Sequence, residues 1–177
     1  MYQLKHVETK KDWSDFIDLP WSIYSNDSNW VPPLRMAVRD LLDVKKNPFF
    51  KHAYMHPIVA YKDGKCVGRI LGVVDDVHND FHKEKTAFFG FYECINDQKL
   101  ANLLFDEVAR WGKSKGMTGL RGPMNPSTNH ECGLLVEGFD DPPSVMMTYN
   151  PDYYGKQLET WGLTKSKDMF ALSLIHI

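Results

Sequence analysis

The chain has 177 residues, 43% of them apolar and 25% charged, with a net charge of −2. That composition suits one ordinary globular domain with enough apolar material for a core, and it excludes a disordered chain. Acids and bases are interspersed, which excludes the basic footprint of a nucleic-acid binder, and no apolar run approaches the length of a membrane span.

Taken in order, Gln3 to Val7 reads as a short strand. Thr9 or Asp12 caps a helix carrying Trp13, Phe16, Ile17, Trp21 and Tyr24 on one face. Asn26 to Pro33 is a turn, and Pro33 opens a second helix, Leu34 to Val44, with Leu34, Val38, Leu41 and Leu42 inward. His56 to Tyr61 and Cys66 to Val74 form a hairpin around Lys62-Asp63-Gly64-Lys65. Asp75 to Lys85 reads as a charged loop. Thr86 to Cys94 is an aromatic, central strand. Asp97 caps an amphipathic helix with Leu100, Ala101, Leu104, Phe105, Val108 and Trp111 inward, ended by Gly116. Gly119 to Met124 is a strand, Asn125 to Pro143 an irregular segment, and Ser144 to Tyr149 strand-like. Pro151 to Trp161 is a helix closed by Gly162, and Thr164 to Ala171 the last strand. Hairpins mixed with crossover helices imply an α/β fold: a mixed, mostly antiparallel, twisted sheet with helices on both faces.

Three stretches are distinctive: Phe89-Gly90-Phe91-Tyr92-Glu93, Arg121-Gly122-Pro123-Met124-Asn125-Pro126-Ser127-Thr128-Asn129, and Glu131-Cys132-Gly133-Leu134-Leu135-Val136-Glu137-Gly138-Phe139-Asp140. With Pro142-Pro143, Met146-Met147, Tyr149-Asn150-Pro151 and Tyr153-Tyr154, they resemble a little-characterised bacterial family of GNAT-like proteins, in the acyl-CoA N-acyltransferase superfamily. The resemblance runs over residues 1–171. It implies a GNAT-like domain, an acyl-CoA-dependent N-acyltransferase of cytoplasmic location, acetyl-CoA or another acyl-CoA as cofactor, and a small-molecule amine as acceptor. It also implies a longer protein, of which this chain is the N-terminal half and a second GNAT-like half is missing.

In such enzymes acyl-CoA lies between two splayed parallel strands, which fall at Ala87–Cys94 and Gly119–Met124. The cofactor positions are then Tyr92, Cys94, Ile95, Asn96, Gln98 and Lys99, with the pyrophosphate at the following helix N-terminus. The loop from Cys94 to Ala101 departs from the superfamily pattern: it has no glycine, and Asp97 puts a negative charge where the pyrophosphate would sit. A second reading therefore stands beside the first, a non-catalytic GNAT-like domain that binds a small ligand or docks on a C-terminal acyltransferase half. Acetyl transfer needs a base and an acid. Glu93 matches a frequent base position, and Tyr149, Tyr153 and Tyr154 surround the usual position of the acid; the alternative readings are a solvated strand-end carboxylate and tyrosines covering the core rim, the commoner use of such residues.

The polar crowd Asn125, Ser127, Thr128, Asn129 and Glu131 follows a strand expected to end at the cleft, where open sheets bind ligands. It reads as an acceptor site or as a loop that satisfies its own backbone. His130 and Cys132 form a conceivable nucleophile pair without an orienting acid. His78 and His82 would share a face if their loop were helical; no metal site is assigned. Cys66, Cys94 and Cys132 are odd in number and widely spaced, which fits reduced thiols rather than a disulfide framework. The last six residues, Leu172 to Ile177, match what a sequencing-library transposon end encodes. We read them as a non-native, adapter-derived tail and assign them no function; a genuine apolar strand end is the alternative.

Overall fold

The computed structural model describes residues 1–170, so the expected tail lies outside the described residues. Its centre is a five-stranded sheet in the order β1-β2-β3-β4-β5. The strands are β1 (Gln3–His6), β2 (Ala53–Lys62), β3 (Lys65–Asp75), β4 (Thr86–Cys94) and β5 (Gly119–Arg121). The first three pairings are antiparallel, and β4 pairs with β5 in parallel. Asp63 and Gly64 both take positive φ in the β2–β3 turn, as a two-residue hairpin requires. Every residue of β4 is buried, so the strand lies between two covered faces.

Helices cover both faces, as expected. On one side α1 (Lys10–Ile23) and α2 (Arg35–Leu42) supply Phe16, Ile17 and Leu42 to a core with Val59, Leu71, Val73 and Phe88. On the other, α4 (Gln98–Ser114) and α5 (Tyr153–Trp161) enclose Leu100, Leu104, Phe105, Val108, Tyr154 and Leu158 with Ile70 and Phe89. Thr9 and Asp12 act together rather than as alternatives. The Thr9 hydroxyl accepts from the Asp12 N–H and the Asp12 carboxylate accepts from the Thr9 N–H, a capping box.

Five expectations are corrected. Asp76–His82 is a helix, α3, capped by the Asp75 side chain, because one carboxylate and a left-handed Lys83 suffice to close a two-turn element in a charged stretch. Leu34 caps α2 and faces outward, while Val38, Leu41 and Leu42 turn inward. Ser144 to Tyr149 forms no strand. Nor do residues 164–170, where Thr164-Lys165-Ser166-Lys167-Asp168 offers no apolar face to set against a sheet. The strand expected through Met124 stops at Arg121; Met124–Asn125 (β6) instead pairs with Glu131–Cys132 (β7) as a separate two-stranded ribbon. No described helix is long and apolar enough to cross a membrane.

Candidate functional site

The site is organised by an irregularity in β4. Its pairing with β3 shifts between Arg69 and Leu71, and Phe91 stands at φ 47°. A left-handed phenylalanine is uncommon and marks a bulge that re-aims the strand. Beyond this point β5 has ended, so the outward edge of β4 must find other partners.

Those partners are side chains of this chain. The Phe91 N–H donates to the Asn125 side-chain oxygen at 2.6 Å. The Cys94 N–H donates to the Tyr154 hydroxyl at 2.9 Å, and the Tyr153 hydroxyl donates to the Cys94 carbonyl at 2.9 Å. The Gln157 amide donates to the Ile95 carbonyl at 3.1 Å and accepts from the Tyr92 hydroxyl at 2.7 Å. Gln98 ties the same corner from α4, donating to the Gln157 carbonyl at 3.0 Å. Tyr153, Tyr154 and Gln157, from the first two turns of α5, thus fasten the helix onto the strand that would carry a cofactor arm. Glycine makes the ribbon's approach possible: a Cβ at Gly90 would overlap the Met124 carbonyl oxygen, and one at Gly122 the Phe89 carbonyl.

The α4 N-terminus is likewise occupied. The Asp97 carboxylate accepts from the Lys99 N–H at 2.9 Å and the Leu100 N–H at 3.2 Å, and its second oxygen accepts from the Tyr2 hydroxyl at 2.5 Å. The Tyr2 bond and then the backbone bonds hold Asp97 below the usual carboxylate range, while the same carboxylate pushes Tyr2 up to about 12. Asn96 and Lys99 are exposed at this turn.

The structure brings together two residues that the sequence suggested separately. Tyr154 donates to Glu93 at 2.7 Å. It adds two that sequence reasoning missed: Tyr24 from the end of α1 donates to the same Glu93 oxygen at 3.1 Å, and Arg69 of β3 reaches the other at 3.4 Å. All four side chains are buried. Burial pushes the Glu93 carboxyl up, against the Arg69 charge and the hydroxyl bonds that favour its ionised form. Burial, then the Glu93 charge, raises the hydroxyls of Tyr24 and Tyr154. Arg69 also donates to the Phe16 carbonyl at 2.6 Å, while its Nε has no partner among the described residues. The signal for this cluster was Arg69 itself, one charge inside a buried apolar strand, which must have a partner nearby.

The remaining candidates fall elsewhere. Tyr149 donates to Asp27 at 2.8 Å and leans on Tyr24, so burial and that carboxylate raise it to about 12. Ser127 is buried with its hydroxyl 2.9 Å from His130 Nδ1 and accepts from the Asn129 N–H at 3.3 Å. His130 is therefore paired with Ser127 rather than with Cys132. Thr128 and Glu131 are exposed, and burial of its carboxyl end raises Glu131. Ser127 and Thr128 border a cavity of about 20 Å³, room for one water. His78 and His82 do stack on α3, 4.4 Å apart, yet the described residues hold no group of three ligands suited to a metal. Burial pushes the Cys94 thiol to about 12, which leaves it protonated and inert near neutrality. The larger cavity, about 360 Å³, lies at the other end of β2 between Trp13, Phe50, Met55, Trp111 and Lys115.

This architecture is shared with solved enzymes. A predicted acetyltransferase from Clostridium acetobutylicum, solved with acetyl-CoA, superposes over 100% of this chain and 99% of its own at a TM-score of 0.58 and 8% identity. The fold is that of the GNAT acetyltransferases. In sequence, the chain is 38% identical over 166 residues to the Bacterial ceramide synthase of Caulobacter vibrioides, covering 93% of this chain and 43% of that protein. It is 37% identical over 162 residues to Protein YghO of Escherichia coli, covering 92% of this chain and 41% of that protein. The chain thus spans about two fifths of the length of these curated relatives. No protein-family model matches it.

Proposed function

We propose that this chain is the N-terminal, acetyltransferase-like half of a longer N-acyltransferase, and that it supports the reaction without itself holding the acyl-CoA. The name of the Caulobacter relative indicates the reaction class. A ceramide is an amide of a long-chain amino alcohol, so its synthesis joins an amine to an activated acyl group. In the CoA-dependent form, the amine nitrogen attacks the thioester carbonyl, its proton passes to a base, and the CoA thiolate leaves.

One observation carries the supporting role. The backbone groups of β4 and the residue after it that would pair with the pantetheine arm or polarise the thioester, at Phe91, Cys94 and Ile95, are bonded to Asn125, Tyr153, Tyr154 and Gln157. Admitting a cofactor arm there would break these bonds and strand buried groups at about 1–3 kcal/mol each. Glu93 has both oxygens engaged and no open side toward a substrate amine.

The test is a thermal-shift titration with CoA, acetyl-CoA and palmitoyl-CoA. The chain alone should show no saturable shift. A polypeptide of the relatives' length should gain about 2.7 kcal/mol of apparent stability at 100-fold over Kd. Saturable stabilisation of the chain alone would overturn the reading.

A second reading keeps the chain as the acyl-CoA-binding unit. The Tyr154–Glu93 contact at 2.7 Å favours it, since an acid and a base are already adjacent on the strand beside the expected cofactor. It requires α5 to move, and it predicts saturable CoA binding by the chain alone, tightened by Tyr153→Phe with Gln157→Ala, which removes two of the bonds holding α5 on the strand.

A further inference from the structure

We infer that the exposed apolar face built from residues 31–36 and 136–147 is the docking surface for the rest of a longer polypeptide, an inference that rests on the two-part reading above. Val31 and Leu34 stand exposed on the approach to α2 and Met36 in its first turn, and Val136, Val145 and Met146 on the irregular segment before α5. Single exposed apolar residues are ordinary; two neighbouring segments that both display them are not.

The display is held in place. The Asn29 side chain donates to the Phe139 carbonyl at 3.2 Å and Tyr149 donates to Asp27 at 2.8 Å, which ties the two segments together. Buried Asn150 accepts from the Leu135 N–H at 2.7 Å and donates back to the Leu135 carbonyl at 3.3 Å. Trp30 stacks on Tyr24 with ring centres 4.9 Å apart, and Arg35 lies 3.7 Å over Trp21 while its Nε meets Asp18 at 2.5 Å. On segments anchored this way, Leu34, Met36, Val145 and Met146 still face out.

Two observations choose the occupant. More than half of each curated relative lies outside the region this chain matches, so a covalently joined partner is at hand at high effective concentration. The two segments also carry both signs of charge, exposed Glu137 and Asp141 on one and exposed Arg35 and Arg39 on the other. That mixed charge suits the rim of a protein interface and repels an anionic lipid surface.

Methionine oxidation, read residue by residue by mass spectrometry, tests it. Met36 and Met146 lie in the face, and Met1, fully exposed elsewhere, is the internal reference. In the chain alone all three should oxidise at similar rates. In a polypeptide of the relatives' length, Met36 and Met146 should slow at least tenfold relative to Met1. Leu34→Glu with Val145→Glu should restore their oxidation there, with an unchanged circular-dichroism spectrum showing that the fold survives. Equal oxidation in the longer polypeptide overturns the inference. So does protection already present in the chain alone together with a dimer in light scattering, or protection that appears only with phosphatidylglycerol vesicles. None of these outcomes depends on acyl-CoA binding, so the docking face and the reaction class fail separately.

Discussion

Glu93, Arg69, Tyr24 and Tyr154 come from four different elements and meet inside the protein. Glu93 and Tyr154 were legible as candidates because a carboxylate ends an aromatic strand and a tyrosine opens a helix. Their contact was not legible, since 61 residues separate them and no local pattern encodes the distance. Arg69 and Tyr24 were missed for the opposite reason: a charge within a strand and an aromatic ending a helix were absorbed into hydrophobic patterning. A buried ion pair is stabilised by the match of its members, so removing one costs more than replacing both. Glu93→Gln keeps an oxygen for the tyrosine hydroxyls and deletes only the charge. It should cost about 3–5 kcal/mol in urea unfolding, with Arg69→Met in the same protein recovering most of the loss. A neutral Glu93→Gln would mean that Glu93 is already protonated in the fold.

At the scale of elements, β2, β3, β4 and α4 were legible because their patterning is strong: alternation or continuous apolarity for the strands, a capped amphipathic face for the helix. Residues 144–149 and 164–170 lack that patterning and form no strand: Val145-Met146-Met147 is apolar without alternation, and Thr164 to Asp168 is polar throughout. The α4 cap was legible in Asp97, though its partner Tyr2 was not. Asp97→Ala should cost about 1 kcal/mol. The pH sign follows from the depressed Asp97 carboxyl. Below its ordinary value of 3.8 the unfolded chain takes up the proton first, so the contribution is whole above that pH and drains as the pH falls through the lower folded value. An Asp97→Asn protein, which can still cap, should lose less stability than the parent between pH 4 and pH 2, measured by urea midpoints at about half-unit steps. On α5, Gln157→Ala strands the Ile95 carbonyl and the Tyr92 hydroxyl and should cost about 1–3 kcal/mol per group left unpaired.

At the scale of the whole molecule, the described residues form two cores, one under α1 and α2 and one under α4 and α5, separated by a sheet a single layer thick. They are not independent. Adjacent residues of β4, Phe88 and Phe89, point into opposite cores, as do Ile70 and Leu71 of β3, so a strand cannot leave one core without opening the other. Through the same strands the Glu93 cluster joins α1 to α5. Unfolding should therefore be one cooperative event. Leu104→Ala deletes a fully buried side chain from one core and Leu71→Ala one from the other, and each should cost about 2–5 kcal/mol. The decisive measurement is coincidence of probes. For the parent and both variants, near-ultraviolet circular dichroism, which reports packed aromatic residues, and far-ultraviolet circular dichroism, which reports helices, should give the same urea midpoint. If Leu104→Ala instead shifts the loss of aromatic packing while helix content survives to the parent midpoint, the two faces unfold separately, and the sheet is a shared wall rather than a coupling between them.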